Sequence, residues 1–171
     1  KGKFENRQYF VGGLKLISEA GIKTESRLLE FADRWEENAG TVICFADDEN
    51  VLAVLSVTDK IRETSGNAVQ QLGKLGIDVW LVTGDNDKTA EAVAKKAGIP
   101  NYKAEMMPSE KAEFITSLQK HGKTVGMVGD GINDSQALAT ADISIAMGKG
   151  SDIAIDAAKM TIISNDLSVI P

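Results

Sequence analysis

Apolar and polar positions change rhythm near Val57 and Thr58. Before that point lies an apolar stretch over 9–11. After it, Leu28, Phe31, Ala32 and Trp35 recur at spacings of three and four, which predicts a helix over 27–38 stopped by Gly40. Thr41–Ala46 and Val51–Val57 are β-rich runs separated by Asp47-Asp48-Glu49-Asn50, a hairpin signal that favours antiparallel pairing. Beyond Thr58 strands and helices alternate. Apolar runs predict strands over 78–82, 124–128 and 143–146, with a weaker one over 102–104 and a last one over 160–163. Helices are expected over 63–74, 88–97, 110–120 and 134–140. Gly76, Gly98 with Pro100, and Gly122 fall where three of them should end. The expected fold is α/β: a doubly wound, mainly parallel sheet over 58–171, preceded by a partial antiparallel α+β segment over 1–57.

Composition narrows the class. With 171 residues, 43% apolar and 26% charged, the chain has the make-up of a globular protein. Its 19 Lys and Arg against 25 Asp and Glu give a net charge of −6, which argues against binding nucleic acid. The single cysteine, Cys44, excludes an intramolecular disulfide or a thiolate zinc cage and reads as a small buried hydrophobe. The longest wholly apolar runs are five residues, 51–55 among them, far short of a membrane span. Residues 1–7 are polar and charged, so no signal peptide is expected there, and the chain reads as a soluble, intracellular-type polypeptide.

In a doubly wound sheet, ligands bind beyond the carboxyl ends of the strands, so the loops after the strands carry the candidate chemistry. The richest is Gly129-Asp130-Gly131-Ile132-Asn133-Asp134. Its glycines allow close approach by a ligand, and Asp130 and Asp134 offer hard oxygens suited to magnesium. Plain helix capping would explain one such residue, but two carboxylates plus Asn133 beside two glycines exceed what a cap needs. Gly129-Asp130-Gly131 opens like a dinucleotide fingerprint, but Asp134 stands where its last glycine belongs. His121-Gly122-Lys123-Thr124 ends like a P-loop, yet it precedes a strand when it should follow one. Thr83 is either a strand-edge residue or a hydroxyl donor to a phosphoryl group. Lys111 either snorkels from an apolar stripe or neutralises phosphate oxygens. Asp85 or Asp87 most simply caps the next helix. Together, a hydroxyl, a lysine and a carboxylate pair at successive strand ends suit phosphoryl transfer, but the nucleophile is missing.

The strings Leu81-Val82-Thr83-Gly84-Asp85-Asn86, Ala104-Glu105-Met106-Met107-Pro108-Ser109-Glu110-Lys111 and Met127-Val128-Gly129-Asp130-Gly131-Ile132-Asn133-Asp134-Ser135 resemble the haloacid-dehalogenase-like phosphorylation domain of P-type ATPases. They are most similar to the heavy-metal (type IB) pumps, with Thr83-Gly84-Asp85-Asn86 nearer to copper pumps than to zinc or cadmium ones. Asp59-Lys60-Ile61-Arg62 resembles the family's hinge sequence, and Lys149 stands where threonine is usual.

The resemblance implies that Thr83 holds the phosphoryl group, with Gly84 and Asp85 shaping that loop. Lys111 would offset its charge, Asp130 would ligate Mg²⁺, and Asn133 and Asp134 would complete that environment. Residues 1–57 resemble the end of an ATP-binding domain, where Val11-Gly12-Gly13 is similar to a Val-Gly-Asn nucleotide motif with Gly13 replacing the asparagine. The implied parent is a membrane pump that exports copper and hydrolyses ATP through an aspartyl phosphate, with this part cytoplasmic. Its transmembrane and actuator domains, and the site of the transported metal, would lie elsewhere.

The family's Asp-Lys-Thr-Gly-Thr motif, which carries the phosphorylated aspartate, occurs nowhere in these residues, so the chain by itself is expected to be inactive. That aspartate ends the central strand of the resembled sheet. The expectation is therefore that another segment or chain supplies the strand, or that the strands ending at Val82 and Val128 pair directly. A soluble phosphatase of the same superfamily, or a non-catalytic module binding magnesium or nucleotide, are the alternative readings.

Overall fold

The computed structural model describes residues 1–5, 7–58, 61–130, 132–148, 152–164 and 166–171. Asp59, Lys60, Gly131 and Lys149, singled out above, lie outside the described residues. The N-terminal lobe is a four-stranded antiparallel sheet, in which β1 (Gly2–Phe4), β2 (Arg7–Gly12), β3 (Thr41–Ala46) and β4 (Val51–Val57) are neighbours in chain order. The expected hairpin forms, with Thr41 opposite Val57 and a bulge at Phe45/Ala46. Asp47 closes its turn by accepting from the backbone N–H groups of Glu49 and Asn50, an Asx turn.

Two helices cover one face of this sheet: α1 (Leu14–Glu19), which the apolar pattern had not marked, and α2 (Ser26–Glu36). Between sheet and helices lie buried Ile17, Ile22, Ala32, Val42, Cys44, Ala46 and Val51, with Phe10, Leu28 and Trp35 packed around them. Helix α2 stops two residues before the expected Asn38. The reversal falls on Ala39, at φ +63°, and Gly40 N–H donates to Trp35 O at 2.8 Å. Glycine is required at 40 because a Cβ there would stand 2.9 Å from Trp35 O and 2.4 Å from Ser56 Oγ.

The second lobe alternates as expected: α3 (Glu63–Lys74), β5 (Trp80–Val82), α4 (Asp87–Ala97), β6 (Asn101–Lys103), α5 (Pro108–Lys120) and β7 (Gly126–Gly129). A 3-10 turn (Ile132–Asp134), α6 (Ser135–Thr140), β8 (Ile143–Met147), α7 (Asp152–Ala157) and β9 (Met160–Ile162) follow. Gly76, Gly98 and Gly122 all take positive φ past their helices. Every strand pair in this lobe is parallel, in two ladders: β5–β6 and β7–β8–β9.

Among the described residues no ladder joins β5 to β7, so the expected direct pairing of these flanking strands does not occur, and no other described strand lies paired between them. The expectation assumed dry edges, where unmet backbone groups cost about 1–3 kcal/mol each. These edges are not dry. Trp80 is 39% and Val128 37% exposed, whereas β8, bonded on both sides, is buried from Ser144 to Met147. Helix α5 leans on both ladders. Its Phe114 meets Trp80 edge-on at 5.3 Å, and its Ile115 packs with Val125, Met127, Ala137 and Ala141. Among the described residues no helix is long and apolar enough to cross a membrane.

Candidate functional site

The candidate residues gather at the carboxyl ends of β5 and β7. Thr83 follows β5 directly, and its N–H continues the ladder to Lys103 O at 3.0 Å. Its hydroxyl donates to Asp85 Oδ2 at 2.8 Å and accepts from Asp85 N–H at 3.1 Å, so the loop closes on itself. Glu105 N–H donates to Asp85 O and Met106 N–H to Thr83 O, which lays the loop against residues 103–106. Glu105 takes φ +53° to do so. A Cβ on Gly84 would rest 3.5 Å from Met106 O, an ordinary contact, so the fold itself does not demand glycine there.

The cap of α4 is Asn86, and neither Asp85 nor Asp87: its Oδ1 accepts from Thr89 N–H at 2.9 Å. Asp85 is committed to Thr83, and Asp87 already belongs to the helix.

Residues 104–107 lead into α5, whose first turn is closed by Glu110 accepting from Met107 N–H at 2.7 Å. One turn along, Lys111 Nζ donates to Asp134 Oδ1 at 2.8 Å, with only 12% and 16% of the two side chains exposed. Lys111 therefore turns to the carboxylate after β7 and does not snorkel to the surface. The pair also removes the capping reading of Asp134, which makes no side-chain bond to the helix it precedes. Gly129 is required here, because a Cβ would fall 2.9 Å from Asp134 Cβ and 3.0 Å from its Oδ2. The glycine lets the carboxylate fold back over the strand end toward Lys111. Asp130 and Asn133 are exposed.

Among the described residues no three acidic, His or Cys side chains gather closely enough to cage a metal. The donors present are the carboxylates of Asp130 and Asp134, a set of hard oxygens that fits a magnesium ion keeping several of its waters. In the first lobe, Gly12 ends β2 and Gly13 precedes α1 in an extended conformation. They belong to the antiparallel sheet, whereas Thr83 and Asp130 follow strands of the parallel ladders.

Sequence reasoning missed the residues that tie the lobes together at this site. Asn86 Nδ2 donates to Glu36 Oε1 at 2.7 Å, Thr41 Oγ1 to Asp85 Oδ1 at 3.5 Å, and Lys15 Nζ to Glu105 Oε2 at 3.0 Å. One signal was available. Glu36 sits four residues after Ala32, on the apolar stripe of α2, where an unpartnered carboxylate does not belong.

Comparison with known proteins agrees over most of the chain. The haloacid dehalogenase-like hydrolase family matches residues 3–142. The "Probable copper-importing P-type ATPase A" of Enterococcus hirae is 43% identical over 171 residues, covering 99% of this chain and 23% of that protein. A copper-exporting P-type ATPase of Bacillus subtilis is 44% identical over 164 residues, 96% of this chain and 20% of that protein. The chain thus spans about a fifth of the length of these relatives. Among solved structures, a zinc-transporting PIB-type ATPase in the E2.Pi state superposes with a TM-score of 0.68 at 29% identity, over 97% of this chain and 26% of that one. The catalytic domain of the CPx-ATPase CopB-B superposes with a TM-score of 0.63 at 28% identity, over 75% of this chain and 51% of that one.

Proposed function

The chain belongs to the haloacid dehalogenase-like hydrolases, and from that membership we propose that it is the phosphoryl-handling part of a copper-exporting P-type ATPase of the heavy-metal class. The observation that carries the reading is the Lys111–Asp134 pair, held nearly out of water at a strand end where neither capping nor surface solvation accounts for it. Copper is preferred because relatives 43% and 44% identical over nearly the whole chain are named as copper transporters. We divide the chain at residue 57, with the antiparallel lobe as the end of a nucleotide-binding domain that uses Gly12 and Gly13.

In this reading Thr83 exchanges its bond to Asp85 for one to a phosphoryl oxygen, while Gly84 and Asp85 keep the loop in shape. Lys111 offsets negative charge on that group. Asp130 and Asp134 hold Mg²⁺, with Asn133 beside them. Bound there, the ion would neutralise charge on phosphoryl oxygens. The carboxylate that accepts the phosphoryl group comes from a strand outside these residues, and the open edges of β5 and β7 are where it would sit. ATP is the substrate. The transmembrane and actuator domains, with the transported metal, complete the cycle at the cell membrane.

The test is a chimera in which this chain replaces the matching segment of the Bacillus subtilis relative. Copper-stimulated ATP hydrolysis and an acid-stable acylphosphate are expected, and both should be lost in Lys111→Ala and Asp130→Ala. A correctly inserted chimera that forms no acylphosphate with copper overturns the proposal. The chain alone should form none; phosphatase activity of the isolated chain on p-nitrophenyl phosphate would favour the soluble-phosphatase alternative.

A further inference from the structure

One seam between the two lobes lies where the end of α2 faces the start of α4. Glu36 lies in it, 6% exposed, and its Oε1 takes the bond from Asn86 Nδ2. Asp33, one turn earlier, pairs with Lys88. Thr89, 2% exposed, donates its hydroxyl to Gly40 O at 3.2 Å, and Lys96 Nζ reaches Asn38 O at 2.7 Å. Three of the four contacts bind groups at or beyond the end of α2 to the first or last turns of α4. Asn86 spends its other atom, Oδ1, on Thr89 N–H. One side chain therefore serves as helix cap, as lobe tie and as the last residue of the Thr83–Asn86 loop.

We propose that Glu36 and Asn86 form a proton-dependent latch, in which the ionisation of Glu36 sets how firmly the N-terminal lobe closes on the loop that follows β5. A carboxylate in this seam has lost most of its water and keeps one strong donor, so its charged form is poorly compensated. The groups facing it are few. Lys88 from α4 favours the charge, Asp33 on its own helix opposes it, and Cys44 from β3 lies close enough to feel it. Glu37 follows on α2, and β4 carries no titratable side chain. Burial dominates and pushes the Glu36 carboxyl above the ordinary glutamate range, against the opposing pull of Lys88 and Asn86. The sign follows from linkage. A carboxyl whose value rises on closure favours closure in its protonated form, so the latch holds fully below the ordinary glutamate range. It loosens as pH rises through the raised value. Near neutral pH the seam is thereby held less firmly than in acid. Closure of this kind does not require Thr83 to receive a phosphoryl group, and its test needs no turnover.

The experiment is NMR on the whole chain. The carboxyl ¹³C shift of Glu36 and the side-chain amide of Asn86 are followed from about pH 4 to pH 8, with hydrogen exchange of the Thr89 amide measured against amides within α5. In the wild type both signals should titrate together, above the ordinary glutamate range, and intrinsic-rate-corrected protection of Thr89 should fall several-fold across the same transition. Glu36→Gln keeps an acceptor for Asn86 and loses the charge; its Thr89 protection should be high and independent of pH. Asp33→Asn should retain the transition. A Glu36 midpoint at or below the ordinary range in the wild type, or an unchanged transition in Glu36→Gln, overturns the latch. The first of these is read without any variant.

Discussion

The antiparallel lobe and the parallel lobe answer the same problem in opposite ways. In the first, each strand is hydrogen-bonded to the next in sequence, and one compact cluster from Ile17 to Val51 fills the space under the sheet. In the second, neighbouring strands are separated by whole helices, the ladder is interrupted between β5 and β7, and the tightly buried cluster under α5 is small: Ile115, Ala137 and Ala141. Hairpin-joined strands bring their own partners with them. Crossover-joined strands depend on pieces delivered from elsewhere in a chain, and they leave strand ends and loops facing one rim. The first lobe gains a self-contained core. The second gives up that closure and gathers Thr83, Lys111, Asp130 and Asp134 on its rim.

The largest expected effect compares the two cores. Ile17→Ala should cost about 4 kcal/mol, because the 1% exposed side chain is enclosed on all sides and the cavity cannot collapse. Ile115→Ala should cost about 2 kcal/mol, since its neighbours are alanines beside the partly covered Val125 and Met127. Urea unfolding at neutral pH measures both. Equal losses would mean that the parallel lobe is as tightly packed as the antiparallel one, and the contrast would fall.

Next come the charge pairs. Lys111→Met leaves Asp134 unpaired in a nearly dry site and should cost about 3 kcal/mol, while Lys111→Met with Asp134→Leu should regain most of it. Lys15→Met, which removes a pair more than half exposed on both sides, should not move the urea midpoint detectably. If the double variant is no better than the single, the pair matters through something other than its unmet charge.

This contrast also marks what sequence could and could not say. Apolar periodicity fixed the helix over 63–74 to the residue, and it placed the β3–β4 hairpin, because in both cases the deciding neighbours are close in sequence. It missed α1, whose Leu14, Leu16 and Ile17 span less than two turns and carry little periodic signal. Lys111 and Asp134 were legible as partners in one neighbourhood because loops after the strands of such sheets carry the polar residues. Which oxygen Lys111 meets, and that Asp134 folds back over Gly129, depended on backbone geometry that no spacing encodes. Glu36 was visible as a polar residue on an apolar stripe, but its partner lies 50 residues away on another helix. That the two ladders stay unjoined depends on backbone pairing between distant segments, which a string of apolar letters does not reveal.

The pH dependences of the two lobes should run in opposite directions. In the parallel lobe Asp142 sits below the usual carboxylate range, chiefly because it accepts from Val125 N–H, with Gln119 adding a second bond. Its contribution is present above the ordinary aspartate value and fades as pH falls through the lowered one. The Glu36 seam behaves inversely, tightening on acidification. Asp142→Asn should therefore flatten the acid loss of the urea midpoint between about pH 7 and pH 3, whereas Glu36→Gln should raise the midpoint at neutral pH and leave it nearly unchanged near pH 4. Parallel pH profiles for the two variants would erase the distinction.

The smallest effect concerns two adjacent glycines of the first lobe. At Gly12 a Cβ would point into the protein, 2.5 Å from Leu16 Cδ2, the mobile end of a side chain that can turn away at small cost. At Gly13 a Cβ would meet nothing within 4 Å, and the backbone, at φ −70° and ψ 166°, lies in a region open to any residue. Gly13 is the N-cap of α1, where alanine is less favoured than glycine, so in Gly13→Ala the lost cap preference offsets the narrowing of the unfolded ensemble and stability should change by less than about 0.5 kcal/mol. Nothing in the first lobe requires glycine there, so a requirement, if there is one, comes from a ligand approaching that exposed backbone. Under the proposed nucleotide role of Gly12 and Gly13, ADP binding measured by calorimetry weakens in Gly13→Ala although its stability hardly moves, and it weakens in Gly12→Ala as well, with a slight loss of stability. Unchanged affinity in both variants would remove these residues from the nucleotide site and leave the antiparallel lobe with a complete core and no assigned chemistry of its own.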